Sequence, residues 1–180
     1  TGECGLRVEI LDAAGSPIEL RSQAEADIFW RRGLPAGGVT IRVSADLALD
    51  SAGEHWVGFA TPGAHRTTVN GKLVSESDER LSGGEVLMRS LHHTPAWHGV
   101  TVAGPGTAHL VAEAQVYADD NWEYFVRAIV HHVVPGPGAD ALIDEAVAAA
   151  RTADLAVVVV GTNSQVETEG YDRTSLALPG

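Results

Sequence analysis

The segment Val39–Leu49 sets Val39, Ile41, Val43, Ala45, Leu47 and Leu49 on alternate positions. A period of two over that length reads as one thing, a β-strand with one face buried. Such a strand needs neighbours beside it and a second layer over its apolar face. The surrounding sequence supplies both. Leu6–Leu11 alternates in the same way and is closed by the turn residues Ala14-Gly15-Ser16-Pro17. Glu54–Thr61, His65–Val69 and Lys72–Glu76 read as strands, the last two joined by Asn70-Gly71. That dipeptide is a strong hairpin signal, because a type I′ turn needs positive φ at both central residues. Ser82–Gly84 reads as a turn and Glu85–Arg89 as a short strand; His98–Ala103, Thr107–Ala118 and Asn121–His131 complete the set. About nine short strands with almost no helix predict a mainly β fold, an antiparallel sandwich or barrel.

The character changes after residue 134. Val133–Asp140 is rich in Pro and Gly and reads as a linker or domain boundary. The expected division is a sandwich over 1–134, a linker over 135–140 and a partial α/β domain over 141–180. Ala141–Ala153 carries Leu142, Ile143, Ala146, Val147 and Ala150 at helical spacing and is rich in Ala. Leu155–Val160 is a continuous apolar run and reads as a strand buried on both faces, as in a parallel sheet. A polar loop follows, carrying Glu167, Glu169, Asp172 and Arg173. In open α/β sheets ligands bind outside the carboxyl ends of strands, so acids and an Arg there point to chemistry.

The segment from Gly161 to Pro179, GTNSQVETEGYDRTSLALP, resembles the signature of glycoside hydrolase family 3, the β-glucosidase family. The close part of the match runs over residues 139–180. In that family the Glu immediately before Gly-Tyr-Asp-Arg is the general acid/base, which here is Glu169. The resemblance implies a retaining mechanism, with a carboxylate nucleophile and Glu169 acting first as acid and then as base. Glu167 is the alternative acid/base. The family's nucleophile is an Asp of a barrel domain, and no barrel pattern occurs in this sequence, so the chain is expected to be a fragment of a larger enzyme. Residues 5–134 also resemble the protective-antigen-type β-sandwich inserted in some members. That likeness rests on Gly5–Glu9, the Val39–Val43 strand, Glu54–Phe59 and the Thr68–Val74 hairpin. It implies a sandwich loop leaning over the active-site mouth, for which Leu91–Trp97 is the candidate. The implied partners are a glycoside or oligosaccharide substrate and the missing barrel domain; no cofactor is implied.

Other residues carry weaker signals. Asp172 and Arg173 are candidates for substrate contacts or for an ordinary loop ion pair. His93 and Trp97 are the substrate-binding candidates of the sandwich, and Trp97, Trp122 and Tyr124 are able to stack on sugar faces or pack in the core. His92, His93 and His98, and the pair His131-His132, invite a metal reading, but adjacent side chains of an extended chain point apart and no Cys joins them. No metal site is expected. Asp119-Asp120-Asn121 has calcium-binding chemistry and also the composition of a plain hairpin turn, the reading preferred here. The net charge of −12 argues against nucleic acid and anionic membrane surfaces as partners. The single Cys4 excludes an internal disulfide. Together with the acidic surface it suits a bacterial cytoplasm, with secretion and a homo-oligomer both compatible.

Overall fold

The computed structural model describes residues 5–89, 95–118 and 124–162, with Ser175 and Ala177. The chain divides into two compact units, Thr1–Val134 and Pro135–Gly180. In the first, the described strands are β1 (Leu6–Leu11), β2 (Pro17–Gln23), β3 (Asp27–Trp30), β4 (Thr40–Leu49), β5 (Gly53–Ala60), β6 (His65–Val69) and β7 (Lys72–Ser77). A short helix α1 (Gly83–Arg89) follows, then β8 (Ala96–Val102), β9 (Gly106–Gln115), β10 (Tyr117–Ala118) and β11 (Tyr124–Val133).

These strands form two antiparallel sheets, as the alternation predicts. One has the order β2-β1-β4-β9-β6-β7; the other runs β10-β11-β5-β8, with β3 also paired to β11. Rows across the first sheet explain the core. Val8 faces Val43, Val43 faces Ala112, and Ala112 faces Thr67. The next row is Ile10, Ile41, Ala114 and His65. Small alanines on β9 (Ala108, Ala112, Ala114) lie in the interior with the larger Val57, Phe59, Val126 and Val130 of the second sheet. The expected hairpin is present: Asn70 has φ 50° and Gly71 φ 76°. Asn70 also ties the turn to β9, donating its N–H to the His109 carbonyl and accepting from the His109 N–H at 2.9 Å.

Three elements differ from the sequence reading. Glu85–Arg89, expected as a strand, belongs to helix α1. The reason is a capping box: Ser82 Oγ accepts from the Glu85 N–H, while Glu85 Oε2 accepts from the Ser82 N–H at 2.9 Å. Val86 and Leu81 then join Tyr117 and Phe125 in a small second core. Burial there pushes the Tyr117 phenol up to about 12, despite the opposing hydrogen bond with Thr61. Strands β2 and β3 were not expected. β2 is an edge strand with Ile18 and Leu20 exposed, so its apolar residues mark no core face.

The second unit contains helix α2 (Ala139–Thr152), which has no buried residue. Residues 155–160, expected as a buried strand, belong to no strand ladder among the described residues, and Val159 is 91% exposed. A β-branched run becomes a buried strand only through neighbours that pair with it, and none is present among the described residues. No described helix is long and apolar enough to cross a membrane.

Candidate functional site

Glu167, Glu169, Asp172, Arg173 and His93 lie outside the described residues, as do Trp122 and Asp119-Asp120-Asn121. Helix α2 and residues 155–162 precede in sequence the segment that carries the four charged candidates. The structure places Trp97 on β8, within the described part of the sandwich.

Trp97 faces outward from the second sheet. Its row runs from Trp97 on β8 through Gly58 on β5 to His131 on β11. Because Gly58 has no side chain, the two rings meet over it edge to face, with centroids 5.5 Å apart. β8 and β11 flank β5 on opposite sides, about 10 Å apart at the usual strand spacing. A Cβ on Gly58 would stand 3.1 Å from Trp97 Cε3 and 3.0 Å from Pro95 Cβ. The adjoining row repeats the arrangement in reverse. Gly99 on β8 faces Trp56 on β5, and Trp56 faces Val133 on β11. A Cβ on Gly99 would stand 3.6 Å from Trp56 Cη2 and 2.8 Å from Glu54 Oε1. Each tryptophan therefore reaches toward the glycine of its neighbour strand. Trp56 and Trp97 remain 41% and 40% exposed.

Trp56 is a second outward-facing tryptophan that its local sequence does not mark as a site residue. The signal was present in the two tripeptides Trp56-Val57-Gly58 and Trp97-His98-Gly99, which antiparallel pairing brings into mutual register.

The adjacent histidines of β11 point apart, as an extended chain requires. His131 lies on the outer face against Trp97, and burial together with Arg127 holds its imidazole below the usual range. His132 turns inward and stacks on the fully buried His55 at 5.2 Å. The Ser51 carbonyl accepts at 2.9 Å from His55 Nε2–H, which leaves His55 Nδ1 to accept from His132 Nε2–H at 3.0 Å. Burial, then His55, lower the His132 pKa, and Asp50 opposes them. Among the described residues no group of three or more metal-ligating side chains occurs.

The family model for the glycosyl hydrolase family 3 C-terminal domain matches residues 40–180, from β4 to the last residue. The chain belongs to glycosyl hydrolase family 3. The family match includes Glu167, Glu169, Asp172 and Arg173. A β-glucosidase of Rhizobium radiobacter is 26% identical over 169 residues, which are 91% of this family 3 chain and 20% of that protein. The crystal structure of a β-glucosidase from Kluyveromyces marxianus in complex with glucose superposes with a TM-score of 0.65 at 16% identity. It covers 98% of this chain and 21% of that one. Its selenomethionine-labelled form gives the same TM-score at 15% identity, over 98% of this chain and 22% of that one. These two likenesses show the mainly β antiparallel fold. The chain thus spans about a fifth of the length of these relatives.

Proposed function

We propose that this chain is part of a retaining, exo-acting β-glucosidase and contributes its acid/base loop. The observation that carries the reading is the family 3 match across residues 40–180, which takes in Glu169-Gly170-Tyr171-Asp172-Arg173. In the whole enzyme a carboxylate from the barrel domain attacks the anomeric carbon. Glu169 gives its proton to the departing glycosidic oxygen as the bond breaks. A glycosyl ester and a free alcohol result. Glu169, now a carboxylate, takes a proton from water as that water attacks the ester, returning the nucleophile and releasing the sugar. This sequence needs no cofactor. It needs Glu169 protonated near neutral pH before the first step, which a low-polarity setting in the assembled site would provide. Asp172 and Arg173, which follow Glu169 in the motif, contact substrate or pair with each other or with groups of the barrel. The sandwich shapes the entrance through the Leu91–Trp97 segment, so that His93 and Trp97 border the leaving-group side.

The test is Glu169→Ala in the whole enzyme, assayed on aryl β-glucosides of graded leaving-group ability. Loss of the proton donor slows poor leaving groups by about 10²–10⁴-fold and good ones far less. An equal loss across the series would remove Glu169 from the acid role.

A further inference from the structure

We infer that the outer face of the second sheet is a carbohydrate-binding platform, on which a neutral oligosaccharide of pyranose rings lies across Trp56 and Trp97. The platform shares Trp97 with the proposed entrance, but it rests on the geometry of the sheet and not on the role of Glu169.

Three observations carry it. First, a Cβ on Gly58 would meet Trp97 Cε3 at 3.1 Å and one on Gly99 would meet Trp56 Cη2 at 3.6 Å, so the glycines make room for both indoles, which stay two-fifths exposed. The bare glycines leave both indoles open on the outer surface of the sheet. Anchors of protein–protein interfaces instead fill pockets on the partner. The C–H faces of pyranose rings are flat, apolar and matched to an aromatic face. The two tryptophans are diagonal neighbours, about 7–8 Å apart at the backbone, so one short chain covers both.

Second, the groups around the rings are free for hydroxyls. Among the described residues, the Glu54 carboxylate, the indole N–H groups of Trp56 and Trp97 and the ring nitrogens of His131 have no hydrogen-bond partner. Glu54 Oε1 reaches over Gly99 beside Trp56, and His131 stands at the edge of Trp97. Acceptors and donors thus border two stacking faces, the mixture that fixes a polar ligand on an apolar site.

Third, charge selects among occupants. An unpaired carboxylate within the face, on a chain of net charge −12, disfavours phosphates, acidic polymers and anionic lipid. A second copy stacked on this face about a two-fold axis would bring a Glu54 from each copy into a drying contact, at the cost of burying like charges. A neutral polyol meets neither penalty and uses the carboxylate as an acceptor.

The experiment is hydroxyl-radical footprinting of the full chain with cellotetraose, read by mass spectrometry. Oxidation of Trp56 and Trp97 is scored against Trp30, which lies against Arg21 at 4.6 Å and corrects for scavenging by the sugar. Saturable protection of Trp56 and Trp97 together is expected. Trp97→Ala should raise the concentration that half-protects Trp56 by about tenfold, the effect of one stacking contact. Glu54→Gln, which alters no packed group, should raise it a few-fold and guards against a folding defect in the Trp97 variant. No protection at any concentration, or unchanged half-protection in both variants, overturns the proposal. Tryptophans already unreactive without sugar would show this face covered by protein, which also overturns it.

Discussion

One methyl group added at Gly58 and one added at Gly99 should have opposite consequences, although the two glycines face outward from paired strands. At Gly58 the new Cβ would meet Pro95 Cβ at 3.0 Å, Trp97 Cε3 at 3.1 Å and the Ala96 carbonyl oxygen at 3.3 Å. Three neighbours crowd it at once, one of them backbone, and Trp97 is itself held against His131. Relief requires β8 to shift or the indole to lift from the sheet. Overpacking of this kind costs about 1–3 kcal/mol. At Gly99 the short contact is Glu54 Oε1 at 2.8 Å, the free end of a flexible exposed side chain. Rotation of that carboxylate clears the space, and Trp56 Cη2 at 3.6 Å is ordinary contact. Replacing a strand glycine then restricts the unfolded chain, a gain of about 0.4–1 kcal/mol. Gly58→Ala and Gly99→Ala should therefore differ by roughly 2–3 kcal/mol. Urea denaturation followed by tryptophan fluorescence measures this. With a slope of roughly 1–3 kcal/mol per molar, the midpoints should stand about 0.7–3 M apart, Gly58→Ala lower. Equal midpoints would refute the reciprocal seating of the two indoles.

Further consequences follow from the same structure. Ser82→Ala removes the cap of α1 and should cost about 1 kcal/mol in the same urea assay, with the loss concentrated around Leu81, Val86, Tyr117 and Phe125 by hydrogen exchange. The Thr67 hydroxyl is buried without a partner among the described residues, so Thr67→Val should stabilise the sandwich by about 1 kcal/mol in thermal melts. His131 and His132 have pKa values held below that of an unfolded imidazole. The unfolded chain therefore binds protons first as pH falls, and the stability due to the neutral rings, complete above about pH 6.5, declines below it. Urea midpoints should drop between about pH 7.5 and about pH 5.5, and His132→Gln should flatten that slope.

How much was legible in the residues depends on where each element finds its partner. β1, β4, β6, β7 and β9 carry their own period-two pattern, and Asn70-Gly71 carries its own turn chemistry, so local reading suffices. β2 was invisible because Ile18 and Leu20 are exposed on an edge strand, where period two marks no core. α1 is ambiguous locally because Glu85–Arg89 is a short apolar run open to either conformation, and only the capping box of Ser82 and Glu85 favours the helix. Residues 155–160 have the composition of a buried strand, but burial is supplied by neighbours that pair with it. Of the candidate site, Trp97 was legible and Trp56 was not. The meaning of Trp56-Val57-Gly58 depends on its register with Trp97-His98-Gly99, forty-odd residues along the chain, and register is a property of the folded sheet. The motif around Glu169 was legible because the order of its residues, rather than a pairing at a distance, carries the signal.

The most direct test of the central claim is azide rescue of Glu169→Ala in the whole enzyme, using a β-glucoside with an activated leaving group. Without its base the glycosyl ester persists, and azide, which needs no deprotonation, attacks it in place of water. Azide should restore turnover and yield a glucosyl azide of β configuration. No rescue, or a product of α configuration, would contradict Glu169 as the acid/base of a retaining hydrolase.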